Sequence, residues 1–476
     1  MSRKNLGTDP AGSVPAACRQ ALERLRTKYA PTSIAVACSG GLDSMVLLHL
    51  AHAWCAQEGI ALSAFHVHHG LSPNADAWLA HCERSCAALG IPFDHRRVTI
   101  DVDGSGVEAA ARRPRYAALG AMCREHGATL LITAHHLDDQ AETVLLQLLR
   151  GSGPAGLSGM EADNRSPGLL GDDATVMARP LLTQPRAALE AYAASHALTW
   201  VEDESNDDAR YARNALRHQV MPALAANFPG FQARLARGAA HVASAQRMLE
   251  ELAAQDLAAC KDGEAIDLAV LGALSADRID NCLRHLFAVR GLAMPSTAWL
   301  AELVWQLFSA REDAQVKVTH PDCHIRRHRG KLVLTPHLPT LAGMRDPDDI
   351  GIIGLEKAGQ TFRWQGEASM AFPAYGGVLH FVPAERGFDA AWLRAAPLLI
   401  DFRKGGERLK SAANRPTRGL KAHFQALGVP AWERERLPTV HRGRDLLFAA
   451  GIGMDCHHVV EAGEGVMALH WEAVIA

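Results

Sequence analysis

The sequence predicts an α/β protein with a doubly wound parallel sheet, followed by a helical domain and a smaller α+β domain towards the C-terminus. Three observations carry that prediction. Over the first third of the chain, short apolar runs alternate with helix-like stretches, the pattern of a parallel sheet whose crossovers are helices. After Pro222 the composition shifts to Ala, Leu and Arg at helical spacing. Beyond Pro336, short β-like runs broken by Gly and Pro return. The expected divisions are 1–222, 223–335 and 345–476, as befits a chain of 476 residues, because single cores seldom grow that large.

Taken in order, Ser33 to Cys38 (SIAVAC), Leu62 to His68 (LSAFHVH) and Thr129 to His135 (TLLITAH) are apolar and partly β-branched, as buried strands are. Each precedes a helix-like segment: Ser44 to Gln57, Ala75 to Leu89 and Asp138 to Arg150. Gly151 to Asp173 is rich in Gly, Pro, Ser and Asp and is expected to be a loop. Helical periodicity runs from about Pro222 to Phe308, and the last region contains runs such as LLI and DLLFAAGI. In a doubly wound sheet, ligands bind beyond the carboxyl ends of the strands.

Hydrophobic residues make up 48% and charged residues 21% of the chain, which excludes a disordered polymer. A net charge of −3 excludes a uniformly basic coat but not a locally basic surface for nucleic acid. The ten cysteines include no Cys-x-x-Cys pair, so neither a zinc ribbon nor a thioredoxin-like redox pair is supported. The sequence offers no signal-like apolar segment and no run long enough to span a bilayer. A cytoplasmic protein with no membrane partner is expected.

Chemistry concentrates at strand ends. Ser39-Gly40-Gly41-Leu42-Asp43-Ser44 lies between the first strand and its helix. Paired glycines let backbone N–H groups approach an anion, and the helix N-terminus adds partial positive charge. Ser39 and Ser44 supply hydroxyls, and Asp43 can hold Mg2+ beside a phosphate. A capped Gly-Gly turn produces the same string; its setting between strand and helix favours the nucleotide. Without the lysine of a Walker A loop, this cradle points to attack at the α-phosphate with pyrophosphate leaving. The string resembles the signature of the PP-loop ATP pyrophosphatases, a superfamily with many substrates.

At the end of the Thr129 to His135 run comes His135-His136-Leu137-Asp138-Asp139-Gln140-Ala141-Glu142. Asp138, Asp139 and Glu142 fall within one helical turn, placed to hold Mg2+, with Asp138 beside Asp43 as its ligands, or to receive an ammonium group. Ordinary dipole-complementing acids at a helix start are the alternative. His66, His68 and His69 lack partners at metal-ligand spacing and are read as sheet residues. Arg112, Arg113, Arg115 and Tyr116 suit a triphosphate or RNA backbone, or else a solvated face. Asp203 to Asn206 lead into Arg210, Tyr211, Arg213, Asn214 and Arg217, from which an arginine could reach an activated intermediate.

Longer strings resemble the tRNA(Ile)-lysidine synthetases: HVHHGLSPNADAW, GVEAAARRPRYAAL, HHLDDQAETVLLQLLRGSGPAGLSGM, RPLL, EDESNDDARYARNALRHQVMP, RKGGERLK and RGLKAHFQALGVPAWERERLPTV. Pro114 departs from that family's pattern by removing a backbone donor from the arginine segment. The resemblance implies a PP-loop ATP-binding catalytic domain (adenine nucleotide alpha hydrolase-like) followed by two tRNA-binding domains. ATP would adenylate the wobble cytosine of tRNA(Ile) with a CAU anticodon, releasing pyrophosphate, and L-lysine would then displace AMP to form lysidine. It further implies ATP binding by Ser39, Gly40, Gly41, Leu42, Asp43 and Ser44, with Mg2+ on Asp43. Asp138, Asp139 and Glu142 would line the lysine and Mg2+ side, and Arg112 or Arg115 with Arg213 would neutralise developing charge. The basic runs His324 to Lys331 and Arg403 to Lys421 are expected to meet RNA. A PP-loop tRNA thiolase and a catalytically inactive tRNA-binding protein are the rival readings, and the oligomeric state is left open, a homodimer among the options.

Overall fold

The computed structural model describes residues 12–70, 72–99, 107–204, 212–311, 314, 316–337, 359–461 and 465–474. The chain divides into two compact units, Met1–Leu252 and Ala253–Ala476.

The first unit opens with α1 (Val14–Tyr29), then β1 (Ser33–Ala37), α2 (Leu42–Glu58), β2 (Ala61–His68), α3 (Ala75–Leu89), β3 (Phe93–Arg97), α4 (Val107–Glu125), β4 (Leu130–Ile132) and α5 (Leu137–Leu149). There follow α6 (Pro154–Leu157), β5 (Asp163–Arg165), α7 (Pro167–Leu170), β6 (Val176–Ala178), α8 (Arg186–Ser195), α9 (Ala212–Ala215), a π-helical turn at Leu216–Val220, and α10 (Met221–Asn227), before the long α11 (Phe231–Cys260). Strand order is β3-β2-β1-β4-β6-β5. All neighbours are parallel except β5, which runs antiparallel to β6.

Alternation along β1 divides the core between the two sheet faces. Ile34 and Val36 pack with Leu22, Leu47, Leu48 and Leu189 on the α1, α2 and α8 side. Ala35 packs with Phe65, Tyr116, Met122 and Leu131 under α4. Both faces of β1 are covered, so the run carries no polar alternation. The chain leaves β1 towards β2 on one side, while β4 flanks it on the other. This is the switch point at which such sheets open a crevice.

The expected loop at 151–173 contains α6, β5 and α7. Its strand (Asp163-Asn164-Arg165) is wholly polar, so no hydrophobic pattern announces it. It is held by pairing with β6 and by Asp163, which accepts from Lys28 Nζ at 2.6 Å and from Tyr29 OH at 2.7 Å. At Gly120 of α4 an added Cβ would stand 2.0 Å from the Leu170 carbonyl oxygen. Only glycine permits that approach of α4 to α7. The helix runs unbroken through Pro114.

In the second unit, helices at Leu268–Gly272, Ala276–Val289 and Thr297–Ser309 pack around Ile279, Leu283, Phe287, Leu300 and Leu303. The helical reading of this stretch omits a five-stranded antiparallel sheet. The basic run at His324 lies on two of its strands, Cys323–His328 and Lys331–Pro336. Farther on, a five-stranded antiparallel sheet and a second sheet built on Gly377–Asp389 and Val466–Ala473 enclose Trp364, Phe381, Phe388, Leu398 and Ile400. Together with the helix Leu420–Leu427 they form an α+β region. Among the described residues, no helix is long and apolar enough to cross a membrane.

Candidate active site

The chain leaves β1 with the Cys38 amide donating to the Phe65 carbonyl at 2.8 Å, so the turn follows directly from the carboxyl end of an interior strand. Gly40 has φ +87° and Gly41 caps α2 in extended geometry. Ser44 is buried and fastens the turn from below. Its Oγ donates to the Gly41 carbonyl at 2.8 Å and accepts from the Gly40 amide at 3.1 Å and from Ser39 Oγ at 3.2 Å. The Ser44 hydroxyl is therefore engaged within the loop, while Leu42 and Asp43 fill the first turn of α2.

Val201 completes the rim, its amide donating to the Gly40 carbonyl at 3.0 Å. A Cβ at Gly40 would stand 3.0 Å from Cys82 Sγ and 3.1 Å from Val201 Cγ2. Gly40→Ala is thus expected to combine left-handed strain with crowding, at a cost of about 2–4 kcal/mol. A thermal melt should register the loss, and nucleotide affinity should fall with it. An unchanged melt would show that the turn relaxes freely.

Across the switch point, α5 begins with His136 as its N-cap, and a reciprocal capping box ties it to Asp139. The Asp139 amide donates to His136 Nδ1 at 3.4 Å and the His136 amide donates to Asp139 Oδ2 at 3.1 Å. His136 is 1% exposed. Its Nε2 lies 3.6 Å from Asp43 Oδ2 and 3.3 Å from Asp139 Oδ2, and its Nδ1 lies 3.8 Å from Asp138 Oδ2. One imidazole thus joins the phosphate-type loop to the acidic helix start. Burial favours its neutral form, but Asp43, Asp139 and Asp138 outweigh that and raise its pKa.

The three acids of α5 have different partners. Asp138 accepts from the Arg186 amide at 2.8 Å and from Gln232 Nε2 at 3.2 Å. Glu142, 1% exposed, is forked by Arg217, with Nε at 2.7 Å from Oε1 and Nη2 at 3.0 Å from Oε2. Arg213 Nε donates to Glu142 Oε2 at 2.9 Å, and its Nη2 donates to Asp139 Oδ1 at 3.2 Å. Arg217 Nη2 also reaches Asp139 Oδ1 at 3.3 Å. Two carboxylates and two guanidiniums make a compact, nearly buried, charge-balanced set. Burial alone would push the Asp139 carboxyl up, but His136, Arg213 and His135 draw it down.

Beside this set lies a cavity of about 280 Å³, lined by His136, Asp138, Glu142, Arg186, Arg217 and Gln232 and walled on its apolar side by Met221, Pro222 and Ala225. On α4, the guanidiniums of Arg112 and Arg115 each lie 5.2 Å from the centroid of the buried Tyr116 ring. The Arg115 charge reaches the ends of β2 and β4. Burial, then Arg115 and the neighbouring histidines, push His69 down to about 4 against Asp203. His135 falls to about 3, burial lowering it most, Asp139 opposing that, and Arg179, Arg213 and Arg115 adding to the fall.

Asp43, Asp138 and Asp139 therefore converge on His136, and Asp139, Glu142 and Arg213 share one ion network. Arg112 and Arg115 stand apart on α4. His136 and Arg217 appear in the sequence motifs without an assigned role. The spacing of Arg217, four residues after Arg213, could have exposed the second; nothing short of the fold exposes the first. Ser205, Asn206, Arg210 and Tyr211 lie outside the described residues.

For Mg2+, the donor set is testable by satisfaction. Among the described residues Asp43 Oδ1 is buried with no hydrogen-bond partner, as a metal-facing carboxylate oxygen would be. No cluster of three or more His, Cys, Asp or Glu side chains suited to a metal occurs among the described residues. Mg2+ beside phosphates commonly takes only one or two carboxylates from the protein. Asp43 alone fits that pattern; the expected second ligand, Asp138, lies against the opposite ring nitrogen of His136 with both oxygens already accepting from Arg186 and Gln232, and is not brought beside Asp43.

Residues 15–224 match the family model described as a PP-loop domain, a match that supports use of ATP. Residues 266–333 match the TilS substrate binding domain, and residues 398–471 match the TilS substrate C-terminal domain. The chain is 46% identical over 437 residues to the tRNA(Ile)-lysidine synthase of Ralstonia nicotianae, covering 91% of each chain. It is 44% identical to the enzyme of that name from Burkholderia pseudomallei, over 92% of this chain and 93% of the relative. For the Alkalilimnicola ehrlichii protein of the same name the identity is 41%, over 88% and 89% respectively.

Proposed function

Because this chain belongs to the tRNA(Ile)-lysidine synthase family, we propose that it uses ATP to join L-lysine to C2 of the wobble cytosine in the CAU anticodon of tRNA(Ile). The observation that carries this reading is the shared imidazole. His136 touches the loop carboxylate Asp43 on one side and the acids of a partly apolar cavity on the other. A nucleotide cradle and an amine-receiving pocket thereby adjoin.

In the first step the cytosine C2 oxygen attacks the α-phosphorus of ATP, and the bond to the leaving pyrophosphate breaks. Ser39, Gly40, Gly41 and Leu42 grip that pyrophosphate through the turn and the start of α2. Asp43 would hold Mg2+, which when bound would supply charge shielding to the triphosphate. Arg112 or Arg115, with Arg213, neutralises charge that grows on the phosphate. In the second step Asp139 or Glu142 takes a proton from the lysine ε-ammonium, the freed amine attacks C2, and the C2–O bond breaks to release AMP. The methylene stem of lysine suits Met221, Pro222 and Ala225, and its ammonium suits Asp139 and Glu142.

The tRNA body is assigned to the second unit, in keeping with a division at 1–222, 223–335 and 345–476. Supporting this, Arg326 lies 4.9 Å from the Trp432 ring centroid. Burial, followed by repulsion from Arg403 and Arg329, lowers the pKa of Arg434, which marks a concentration of positive charge suited to phosphodiesters. The cytoplasm, where tRNA is, is the proposed location. The thiolase reading is disfavoured because Cys38 beside the loop is buried, and the Cys82 thiol and burial push its own thiol up.

Labelled lysine supplied with ATP should enter the minor isoleucine tRNA and not the elongator methionine tRNA of identical anticodon. Equal labelling of both, or of neither, overturns the assignment.

A further inference from the structure

Within the basic run from His324 to Lys331, several side chains serve their own fold. Arg327 Nη1 donates to the Leu307 carbonyl at 2.9 Å and to the Ala310 carbonyl at 3.0 Å, and Lys331 pairs with Asp262 at 2.5 Å. The tip of the hairpin formed by Cys323–His328 and Lys331–Pro336 is different. His328 and Lys331 oppose each other across the two-residue turn Arg329-Gly330, and both turn residues are left-handed, at φ +49° and +73°. Such turns favour Asn, Asp or Gly at the first position, the residues that tolerate left-handed backbone. An arginine in that place points to a role for its side chain.

That side chain ends on a distant part of the chain. Arg329 Nη2 donates to the Gln425 carbonyl at 2.7 Å, and His328 Nε2 stands 3.2 Å from the Gly428 carbonyl oxygen. Both carbonyls lie at the C-terminal end of the helix Leu420–Leu427, which Gly428 caps at φ +75°. Just past them, Arg434 Nε donates to the Val429 carbonyl at 2.7 Å. Two guanidiniums and an imidazole thus gather at the negative end of one helix. Gly428 makes room for the first of them, since a Cβ there would stand 2.5 Å from Arg329 Nη1. Trp432 borders the joint, its ring centroid 5.5 Å from that of His328. The hairpin tip belongs to the stretch 266–333 that matches the substrate binding domain, and the helix to the stretch 398–471 that matches the C-terminal domain. The tip therefore fastens one of these regions to the other.

We propose that Arg329 is a positioning residue for tRNA: by plugging the end of the helix Leu420–Leu427 it fixes the spacing of the two regions that hold the tRNA body, and it does so without touching RNA. This rests on the assignment of the tRNA body to the second unit. Two RNA-holding surfaces locked at one separation engage a tRNA as a single surface. Unlocked, they must be brought into register at each encounter, which lowers affinity although no contact is removed. The salt dependence of binding follows from the same premise. It counts the phosphates neutralised, and that number is the same with the joint open or closed.

Two substitutions in the full-length protein open the joint from opposite sides. Arg329→Asn suits the left-handed turn and removes the reaching side chain. Gly428→Asn suits the left-handed cap, leaves the Arg329 charge in place and puts a Cβ where its guanidinium lies. Filter binding of tRNA over a range of KCl concentrations, with steady-state transfer of labelled lysine, is the measurement. Each variant should weaken tRNA binding and raise the KM for tRNA about tenfold, with kcat within about twofold of wild type and the slope of log affinity against log salt unchanged. The double variant should be no worse than the worse single one, because both remove the same joint. An Arg329 that touches a phosphate behaves otherwise: its loss lowers the slope by about one, and Gly428→Asn binds normally. A merely structural Arg329 lowers the melting temperature and the maximal rate and leaves KM alone. Any of those results overturns the proposal, as does full additivity in the double variant. Should one variant not fold, the other decides by the same criteria. Failure of the underlying reading is seen separately, as wild type that neither retains tRNA nor transfers lysine to it.

Discussion

Asp43→Ala is expected to slow pyrophosphate release roughly a thousandfold, the scale on which a single charge-stabilising group at a reacting centre acts. Retention of tRNA on a filter should change by less than about twofold, because the basic residues proposed to hold tRNA belong to the second unit and not to this loop. The structure adds a sign for stability. Asp43 Oδ1 is buried with no donor among the described residues, and an unsatisfied buried oxygen costs free energy in the folded state. Its removal should leave the melting temperature unchanged or slightly raised. Activity lost without stability lost is the signature of a residue kept for function. Normal pyrophosphate release by this variant would remove the reason for placing Mg2+ there.

Glu142→Gln should act in the opposite way on stability. The glutamine keeps the shape but leaves two guanidiniums sharing the single carboxylate of Asp139, and removing one acid from so largely buried an ion network costs about 3 kcal/mol. For a unit of this size the melting temperature should drop by roughly 10 °C. A paired variant, Glu142→Met with Arg217→Met, removes one charge of each sign and should recover much of that loss. It should still fail to transfer lysine, since the amine-receiving oxygens are gone. If Glu142→Gln melts with wild type, the ion network contributes little and the cavity wall is held by other contacts.

What could be read without the fold divides by the range of the interactions. β1, β2 and the helices that follow them are visible as patterns because burial on both faces of the sheet demands continuous apolar runs, and the glycine pair stands out because it lies between them. Asp138, Asp139 and Glu142 are grouped correctly by helical spacing, a local property. Their partners are not local. Arg217 meets Glu142 across 75 positions, and Gln232 meets Asp138 across 94, so no window of sequence shows that the acids are already engaged. The polar strand β5 escapes for a related reason: it exists because β6 offers it a ladder, and its own side chains say nothing. Arg112 and Arg115 illustrate the remaining limit, since a count of guanidiniums on a helix does not tell which way they lie, and here both rest on Tyr116.

His136 has one more implication. The same ring caps a helix, steadies the acid beside the nucleotide turn and borders the chamber for the incoming amino acid. A geneticist hunting alleles that spare one half-reaction and spoil the other should find none at this position. Any replacement would disturb both together, and separable defects must be sought farther out, at Asp43 on one side or, beyond Asp138, at Gln232 on the other.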